Sequence, residues 1–164
     1  MATGYTQTYG IDYQETSAPV AKLNTVRVLL SLASNLDWPL FQLDVKNAFL
    51  NGDLEEEVNM DLPPGFETLD KKGMVCRLRK SLYGLKQSPR AWFDRFTSTI
   101  RRYGYKQAHT DHMFFQRFEG KVVCREIRDY TFHPFYFFTF FNFPNPPNHS
   151  IFFRQFFSTF QISI

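Results

Sequence analysis

An apolar, strand-forming run that contains one carboxylate is the feature that most restricts how this chain can fold. The stretch Gln42 to Leu50 contains Asp44, and an extended strand is favoured there by Trp38, Leu40, Phe41, Leu43 and Val45. Pro39 can stand only at the start of such a strand, and Asn47 to Gly52 predicts a turn away from it. A buried carboxylate is costly unless it is paired, hydrogen-bonded or bound to a cation. Asp44 is therefore either a candidate for chemistry or a cap of the following turn.

Charge is divided unevenly along the chain. Residues 1–70 contain 3 Lys/Arg and 11 Asp/Glu, whereas residues 71–106 contain 11 Lys/Arg and one acid, Asp94. A basic block of this density is typical of a phosphate-binding surface, although a solvated helix face also explains part of it. Aromatic residues and a Gly-Leu-Lys turn lie among these charges, which favours contact with nucleic acid or nucleotide. The candidate contacts to nucleic acid are Lys80, Lys86 and Arg90.

Helical periodicity predicts two helices. The first contains an apolar stripe whose simplest explanation is core packing, because its members recur at helical spacing. The stripe consists of Leu23, Val26, Leu30 and Ala33. The second helix is expected to begin with Ser88 as a hydroxyl cap and Pro89 in the first helical position, and to end near Gly104. Its first-turn amides can receive a phosphate, although helix capping alone also explains Ser88-Pro89.

Several short strands are expected besides the one that contains Asp44. They are residues 58–60, Met74 to Leu78, Met113 to Phe115 and a strand that begins at residues 121–123. The consecutive acids Glu55, Glu56 and Glu57 are expected in a solvated turn before the first of these strands. Consecutive strand residues point to opposite faces, so these three carboxylates are not expected to converge on one metal ion.

The cysteines and histidines exclude some classes of protein. Cys76 and Cys124 lie far apart, and the four histidines do not combine with them at the spacing of a zinc finger. The polar stretch from Met1 to Gly10 lacks the apolar centre of a signal peptide. We therefore expect a reduced intracellular, cytoplasmic compartment, with no zinc site and no disulfide partner.

Five short motifs accompany the Asp44 strand in a fixed order over residues 1–123. They are Gly-Tyr-Thr-Gln at 4–7, Asp-Tyr-Gln-Glu-Thr at 12–16, Ala-Pro-Val-Ala-Lys at 18–22, Leu-Pro-Pro-Gly-Phe at 62–66 and Ser-Leu-Tyr-Gly-Leu-Lys-Gln-Ser-Pro-Arg-Ala-Trp at 81–92. In these motifs the chain resembles the reverse transcriptase domain of copia-type retrotransposon polyproteins. The resemblance implies an α+β fold that contains parts of the polymerase fingers and palm, in which helices back an antiparallel palm sheet.

The resemblance also implies a reaction. A polymerase of this family transfers nucleotides to a primer hydroxyl and uses two divalent ions, commonly Mg²⁺, to stabilise the attacking and leaving oxygens. Asp44 takes the position of the first metal-binding aspartate, and the Val45 carbonyl supports it. The partners implied are an RNA or DNA primer-template and deoxynucleotides, and the parent family works inside virus-like particles.

The same resemblance assigns contacts to the nucleotide. Phe49 matches the aromatic residue that lies under the sugar and disfavours ribonucleotides. Tyr83 and Gly84, together with Lys86, match the loop that lines the nucleotide and template pocket.

The chain departs from the family pattern after Val123. The family continues into a hydrophobic strand carrying Tyr-x-Asp-Asp, whose paired aspartates complete the metal site. This chain continues with Cys-Arg-Glu-Ile-Arg-Asp-Tyr, and nowhere does its sequence contain two adjacent aspartates. Asp129 stands in unrelated surroundings and is not expected to replace the pair.

The composition changes at the same place. Residues 125–164 contain 12 of the 20 phenylalanines and no Leu, Val, Ala, Gly or Lys, and no ordinary core has this composition. We expect residues 124–164 to be a disordered tail rich in Phe, Pro and Asn, produced by a frameshift or by intron read-through. A membrane segment is the alternative, but the longest Phe-rich run is shorter than the roughly 20 apolar residues needed to span a bilayer.

Two functions remain open. The chain is either a fragment of an RNA-directed DNA polymerase that is inactive or nearly so, or a non-enzymatic, degenerate fragment with residual nucleic-acid binding. On the first hypothesis it lacks the basic fingers segment before residue 4, the end of the palm, the thumb, and any ribonuclease H or integrase region. Metal-dependent primer extension separates the two hypotheses.

Overall fold

The computed structural model describes residues 4–16, 18, 20–37, 40–63, 65–66 and 73–116, and the strands at 122–128, 136–142 and 162–163. Only the backbone is described for residues 40–44 and for these last three strands. In chain order the elements are a 3-10 helix at Gly4–Thr6, α1 at Leu23–Asn35, β1 at Leu40–Val45, a 3-10 helix at Ala48–Asn51, β2 at Asp53–Asp61, β3 at Val75–Lys80, α2 at Ser88–Arg102, β4 at Lys106–Gln107, β5 at Phe114–Gln116, β6 at Val122–Arg128, β7 at Tyr136–Asn142 and β8 at Ile162–Ser163.

The described elements form an α+β fold with antiparallel sheets, as the sequence predicts. They divide into two compact units. The first unit consists of Met1–Ala18 and Phe49–Arg95, and the second consists of Pro19–Ala48 and Phe96–Ile164. The helix α2 begins in the first unit and ends in the second. Among the described helices, none is long and apolar enough to cross a bilayer.

The first unit contains the antiparallel pair β2 and β3, whose register shifts between Asp53 and Val58. Exposure alternates along β2, because successive strand residues point to opposite faces. The acids Glu55–Glu57 lie inside this nine-residue strand, so the prediction of a solvated acidic turn is wrong. The physical reason is strand alternation: Leu54, Val58 and Met60 lie on a half-buried face that Glu56 shares, whereas Glu55 and Glu57 lie on the exposed face.

The first turns of α2 belong to the first unit. The N–H of Ala91 donates to the Gln87 carbonyl at 3.0 Å, which makes Gln87 the N-cap and Ser88 the first helical residue. The predicted cap is therefore displaced by one residue. The Ser88 hydroxyl instead donates to the Leu82 carbonyl at 2.6 Å, so it fastens the preceding loop. In the same part of the helix the side chains of Ala91 and Trp92 are buried.

The second unit contains a six-stranded sheet in the order β4-β5-β6-β7-β1-β8. All of its described strand pairs are antiparallel. Phe96 and Ile100 of α2 are fully buried, and the Phe96 ring meets the ring of Phe115 edge to face with a centroid distance of 5.6 Å. Burial of an aromatic side chain of this size stabilises the folded state by roughly 1.5–3 kcal/mol. The contact therefore fixes the end of α2 on strand β5.

The helix α1 also belongs to the second unit, and its predicted apolar stripe is only partly buried. Ala33 is 2% exposed, whereas Leu23 is 59% and Leu30 is 42% exposed. The half-buried positions are Thr25, Val26 and Leu29, and of these Val26 and Leu29 lie closer to Ala33 on the helix surface than Leu23 and Leu30 do. Core packing is therefore the correct explanation for Ala33 and the wrong one for Leu23 and Leu30.

Three strands lie in the segment for which the sequence predicts a disordered tail. They are β6, β7 and β8, and β7 pairs along its length with both β1 and β6. The expected disorder is not confirmed for these strands. The physical reason is that β7 has the sequence Tyr-Phe-Phe-Thr-Phe-Phe-Asn, and aromatic and β-branched residues favour strands strongly.

Gly52 lies close to the start of α2, and substitution of this glycine tests the packing between the two segments. A Cβ atom at Gly52 would lie 2.8 Å from the Ala91 carbonyl carbon and from the Trp92 nitrogen, so backbone would have to move. We expect Gly52→Ala to lower the free energy of unfolding by about 1–3 kcal/mol. Urea denaturation measures this change. The exposed control Gln14→Ala should change it by less than about 0.5 kcal/mol, and equal stability of the two variants would contradict the packing described.

Candidate functional site

The site centres on the loop of residues 83–87, called here the Gly84 loop, which links β3 to α2. Gly84 has φ of +98°, a conformation that glycine adopts without strain. Two short hydrogen-bonded turns shape the loop, because Leu85 donates to the Leu82 carbonyl and Ser88 donates to the Leu85 carbonyl, both at 3.4 Å. Leu85 is buried beneath these turns. The loop is therefore held by its own backbone and by one apolar anchor.

The segment around Gly4 holds the loop from outside. The Gly4 N–H donates to the Gly84 carbonyl at 2.9 Å. A Cβ atom at Gly4 would lie 2.2 Å from that carbonyl oxygen, so no larger residue fits without displacing the loop. The glycine of the Gly-Tyr-Thr-Gln motif, Gly4, thus allows its own backbone to come close to the backbone of Gly84.

Two of the residues predicted to contact a nucleotide lie together. The rings of Phe49 and Tyr83 meet edge to face with their centroids 4.8 Å apart. Phe49 lies in the 3-10 helix Ala48–Asn51, and its carbonyl accepts a hydrogen bond from the Ser81 hydroxyl. Ser81 is fully buried and also donates its N–H to the Gly52 carbonyl at 3.0 Å. The first unit therefore positions Phe49 and Tyr83 as one aromatic pair.

Lys86 projects from the Gly84 loop to the side of Tyr13. Its ammonium nitrogen lies 5.6 Å from the centroid of the Tyr13 ring, which is a cation–π geometry. Tyr13 in turn meets Tyr9 edge to face with a centroid distance of 5.8 Å. Lys86 remains exposed in this arrangement. Its charge is therefore both oriented by the ring and accessible from solvent.

The other two predicted nucleic-acid contacts lie in ion pairs. The Lys80 ammonium pairs with the Asp53 carboxylate, which also lies 3.8 Å from the Arg95 guanidinium. The Arg90 guanidinium pairs with Glu15 and lies 3.6 Å from the Asp94 carboxylate. These groups are 36% or more exposed, and exposed pairs contribute about 0–1 kcal/mol each. A phosphate can therefore compete for Lys80 and Arg90 at small cost.

Asp44 and Val45 lie at the end of β1, in the second unit. Val45 is 3% exposed, and the side chain of Asp44 lies outside the described residues. Strand register pairs Asp44 with Phe137 of β7 and with Ser163 of β8. Neither β7 nor β8 contains an Asp or Glu.

The two described strands that pair with β1 offer no second carboxylate beside Asp44. Glu126 of β6 pairs with Phe138, which pairs with Leu43, so the nearest acid along these strand pairs is two strands away and out of register with Asp44. Within the side chains that the structure describes, no three His, Cys, Asp or Glu residues form a group that could hold a metal ion. Two Mg²⁺ ions require shared carboxylates and nearly complete octahedral oxygen shells. The metal-binding role of Asp44 therefore stays a prediction, and Asp44 is one candidate ligand.

Two glutamines beside the Gly84 loop were not anticipated from the sequence. Gln87 is 2% exposed and Gln7 is half-buried, and their side-chain amides are 2.9 Å apart in a hydrogen bond. Gln7 also accepts a hydrogen bond from the Lys86 N–H at 2.9 Å. Glutamine is usually an exposed residue, so its type gives no signal of burial. The signal that the sequence offered was position, because Gln7 and Gln87 each lie within a quoted motif.

Asp111 is a buried charged residue of the second unit that the sequence did not reveal. It is 3% exposed, and its carboxylate accepts from the backbone N–H groups of Lys22 and Met113, each at 3.1 Å. These bonds join the entry of α1 to the turn before β5. We assign Asp111 this structural role.

Comparison with known proteins identifies the class to which this α+β chain belongs. Residues 1–127 match the family described as reverse transcriptase (RNA-dependent DNA polymerase). The chain belongs to the reverse transcriptase family. The predicted resemblance to copia-type retrotransposon polyproteins is thereby confirmed.

Three relatives illustrate the match. The chain is 51% identical over 116 residues to the retrovirus-related Pol polyprotein from transposon TNT 1-94 of Nicotiana tabacum, covering 70% of this chain and 9% of that protein. It is 44% identical over 123 residues to the corresponding polyprotein from transposon RE2 of Arabidopsis thaliana, covering 75% and 8%. It is 38% identical over 102 residues to the transposon Ty1-H Gag-Pol polyprotein of Saccharomyces cerevisiae, covering 59% and 5%. The chain thus spans less than a tenth of the length of these relatives, and no solved structure matches it.

Proposed function

We propose that this chain carries the nucleotide-facing and template-facing part of a copia-type RNA-directed DNA polymerase and is itself inactive in nucleotidyl transfer. The family match over residues 1–127 supports the parental activity. The lack of any adjacent aspartate pair in the sequence supports the inactivity, because the family site needs that pair beside Asp44. This departure is the single observation that carries the proposal of an inactive chain.

Residues 1–123 are proposed to be part of the polymerase fingers and palm, and residues 124–164 a segment foreign to the family. The first unit supplies the Gly84 loop and the Phe49–Tyr83 ring pair, and β1 supplies Asp44. Support for a boundary near these residues comes from the abrupt change in composition at residue 125 and from the family match, which ends at residue 127, four residues past the proposed boundary.

The aromatic pair is proposed to discriminate between sugars. Phe49 would lie under the deoxyribose, and its edge-to-face contact with Tyr83 at 4.8 Å limits how far the ring can move away. A ring held in this way leaves little room for an additional hydroxyl group on the sugar. Gly84 and Lys86 would line the same pocket, with the exposed Lys86 ammonium facing phosphate.

The basic residues are proposed to contact the primer-template backbone. Lys80 and Arg90 would exchange the carboxylates of Asp53 and Glu15 for phosphates, and the exposed ion pairs oppose this exchange only weakly. Among the described residues, the contact that the Lys86 ammonium would give up is the cation–π contact with Tyr13. Affinity for nucleic acid should therefore be electrostatic and sensitive to salt.

Magnesium is the proposed cofactor of the parental enzyme, with Asp44 as one ligand and the Val45 carbonyl in support. When two ions are bound, such sites stabilise the attacking and leaving oxygens of the transfer. This chain offers one of the required carboxylates. No step of the reaction is therefore assigned to the chain itself.

The proposed setting is the intracellular, cytoplasmic one of a retrotransposon polyprotein, inside the virus-like particle of the parent family. The proposed partners are an RNA or DNA primer-template and deoxynucleotides. The second candidate function is that of a degenerate fragment that only binds nucleic acid. Because Asp44 supplies just one of the carboxylates that a two-metal site requires, this candidate is better supported than an active enzyme.

The first test concerns catalysis. One aspartate and one carbonyl cannot hold two hard cations roughly 4 Å apart, because the bridging carboxylates are missing. We expect no template-directed incorporation of deoxynucleotides by the chain with Mg²⁺ or Mn²⁺, measured by primer extension, and no further loss on Asp44→Asn. A chimera with the family's palm strand, thumb and fingers should gain activity that depends on Asp44. Incorporation by the unmodified chain, abolished by Asp44→Asn, would show that it has a complete metal site.

The second test concerns binding to a primer-template duplex. Reversal of Lys86 and Arg90 to glutamate should reduce the salt dependence of log K by about 2, because roughly 0.9 is lost per phosphate contact. Fluorescence anisotropy across a salt series measures this slope. The control reverses Lys22 and Arg27, which lie outside the basic block and change the net charge equally. Equal slopes for both double variants, or affinity that is independent of salt, would favour a merely solvated basic face.

The third test concerns residues 124–164. If a frameshift or intron read-through produced them, the genomic locus should contain a codon run for Tyr-x-Asp-Asp in another frame downstream of the Val123 codon. Sequencing of the locus and its transcripts provides the measurement. A locus with no such codons in any frame would contradict this origin.

A further inference from the structure

Gln7 and Gln87 form a hydrogen-bond chain with a defined direction. The Lys86 N–H donates to Gln7 Oε1 at 2.9 Å, and Gln7 Nε2 donates to Gln87 Oε1 at 2.9 Å. Gln87 Nε2 then donates to the Asp12 carbonyl at 3.4 Å. Since a primary amide has an acceptor end and a donor end, reversing either amide would place two acceptors or two donors face to face. The chain therefore specifies the orientation of both side chains.

Both ends of this chain act on the surroundings of one ammonium group. Gln7 fixes the backbone of Lys86, and Gln87 fixes the carbonyl of Asp12, the residue before Tyr13. The Tyr13 ring lies 5.6 Å from the Lys86 ammonium. The two amides thus hold the lysine and the aromatic ring that orients it.

Burial makes the arrangement difficult to replace. Gln87 is 2% exposed, so water cannot readily substitute for a lost partner, and a buried amide without partners is destabilising. The Gly4 hydrogen bond holds a different residue of the loop, Gly84, whereas the backbone of Lys86 is bonded by Gln7. Their effect is therefore directed at Lys86.

We propose that Gln7 and Gln87 are positioning residues that hold Lys86 ready for a phosphate group. The proposal rests on the proposed function, since Lys86 is taken to face a phosphate-bearing ligand. The phosphate belongs either to the primer-template backbone or to a deoxynucleoside triphosphate, and both present the same chemistry to an ammonium group.

Binding measurements on the full chain test the proposal. Gln7→Met keeps the size of the side chain and removes its hydrogen-bonding groups, and Gln14→Met is the control on an exposed glutamine of the same segment. We expect Gln7→Met to weaken binding of a primer-template duplex about tenfold, as expected for loss of one oriented contact. Lys86→Gln should cause a similar loss, and Gln14→Met should cause none. Separate titrations with dTTP alone and with duplex alone identify which ligand supplies the phosphate.

A double-mutant cycle separates positioning from general stability. If Gln7 acts through Lys86, then Gln7→Met in the Lys86→Gln background should cause no further loss of affinity. Additive losses, or a loss that follows only the urea midpoint of each variant, would overturn the proposal.

A measurement without ligand distinguishes failure of this proposal from failure of the proposed function. Amide hydrogen exchange by NMR should show faster exchange of the Lys86 N–H in Gln7→Met and in Gln87→Met than in Gln14→Met. If the unmodified chain bound neither duplex nor dTTP, the proposed function would fail, and unchanged exchange at Lys86 would overturn the positioning role by itself.

Discussion

The hydrogen bond from the Gly4 N–H to the Gly84 carbonyl is the contact on which the candidate site depends. It requires two backbones to meet without an intervening side chain, and a Cβ at Gly4 would lie 2.2 Å from the acceptor. Once the segments meet, Gln7 reaches the Lys86 N–H, and Gln87 reaches Asp12. The loop is thereby held through its backbone and through one buried and one half-buried amide, which fix position more tightly than exposed ion pairs do.

Electrostatics in the first unit follows from the uneven charge of the sequence. The acid-rich residues 1–70 and the basic residues 71–106 meet there, as the pairs of Lys80 with Asp53 and of Arg90 with Glu15 show. Each pair is exposed and weak. The carboxylates therefore hold the basic side chains near the loop, but another anion can replace them at small energetic cost. The ligand proposed for this surface carries many phosphates and would gain affinity from many small contacts.

Family membership and chemical competence are separate properties of this chain. The match over residues 1–127 includes β1, the Gly84 loop and α2, which belong to the framework of a polymerase. The strands that pair with β1 contain no carboxylate, and Asp44 has Phe137 and Ser163 as its register partners. Packing depends on apolar side chains and catalysis on a few charged ones, so a fold and its catalytic site can diverge.

By itself the sequence determined the α+β class, the family, the β1 strand and the extent of α2, because strand-forming residues, periodicity and turn residues act locally. It also singled out Phe49, Tyr83 and Lys86 through their motifs. Only the tertiary structure decided that Glu55–Glu57 lie in a strand, that Leu23 and Leu30 are exposed, and that Gln7 and Gln87 share a hydrogen bond. These outcomes depend on which distant segments meet, and 80 residues of chain separate the two glutamines.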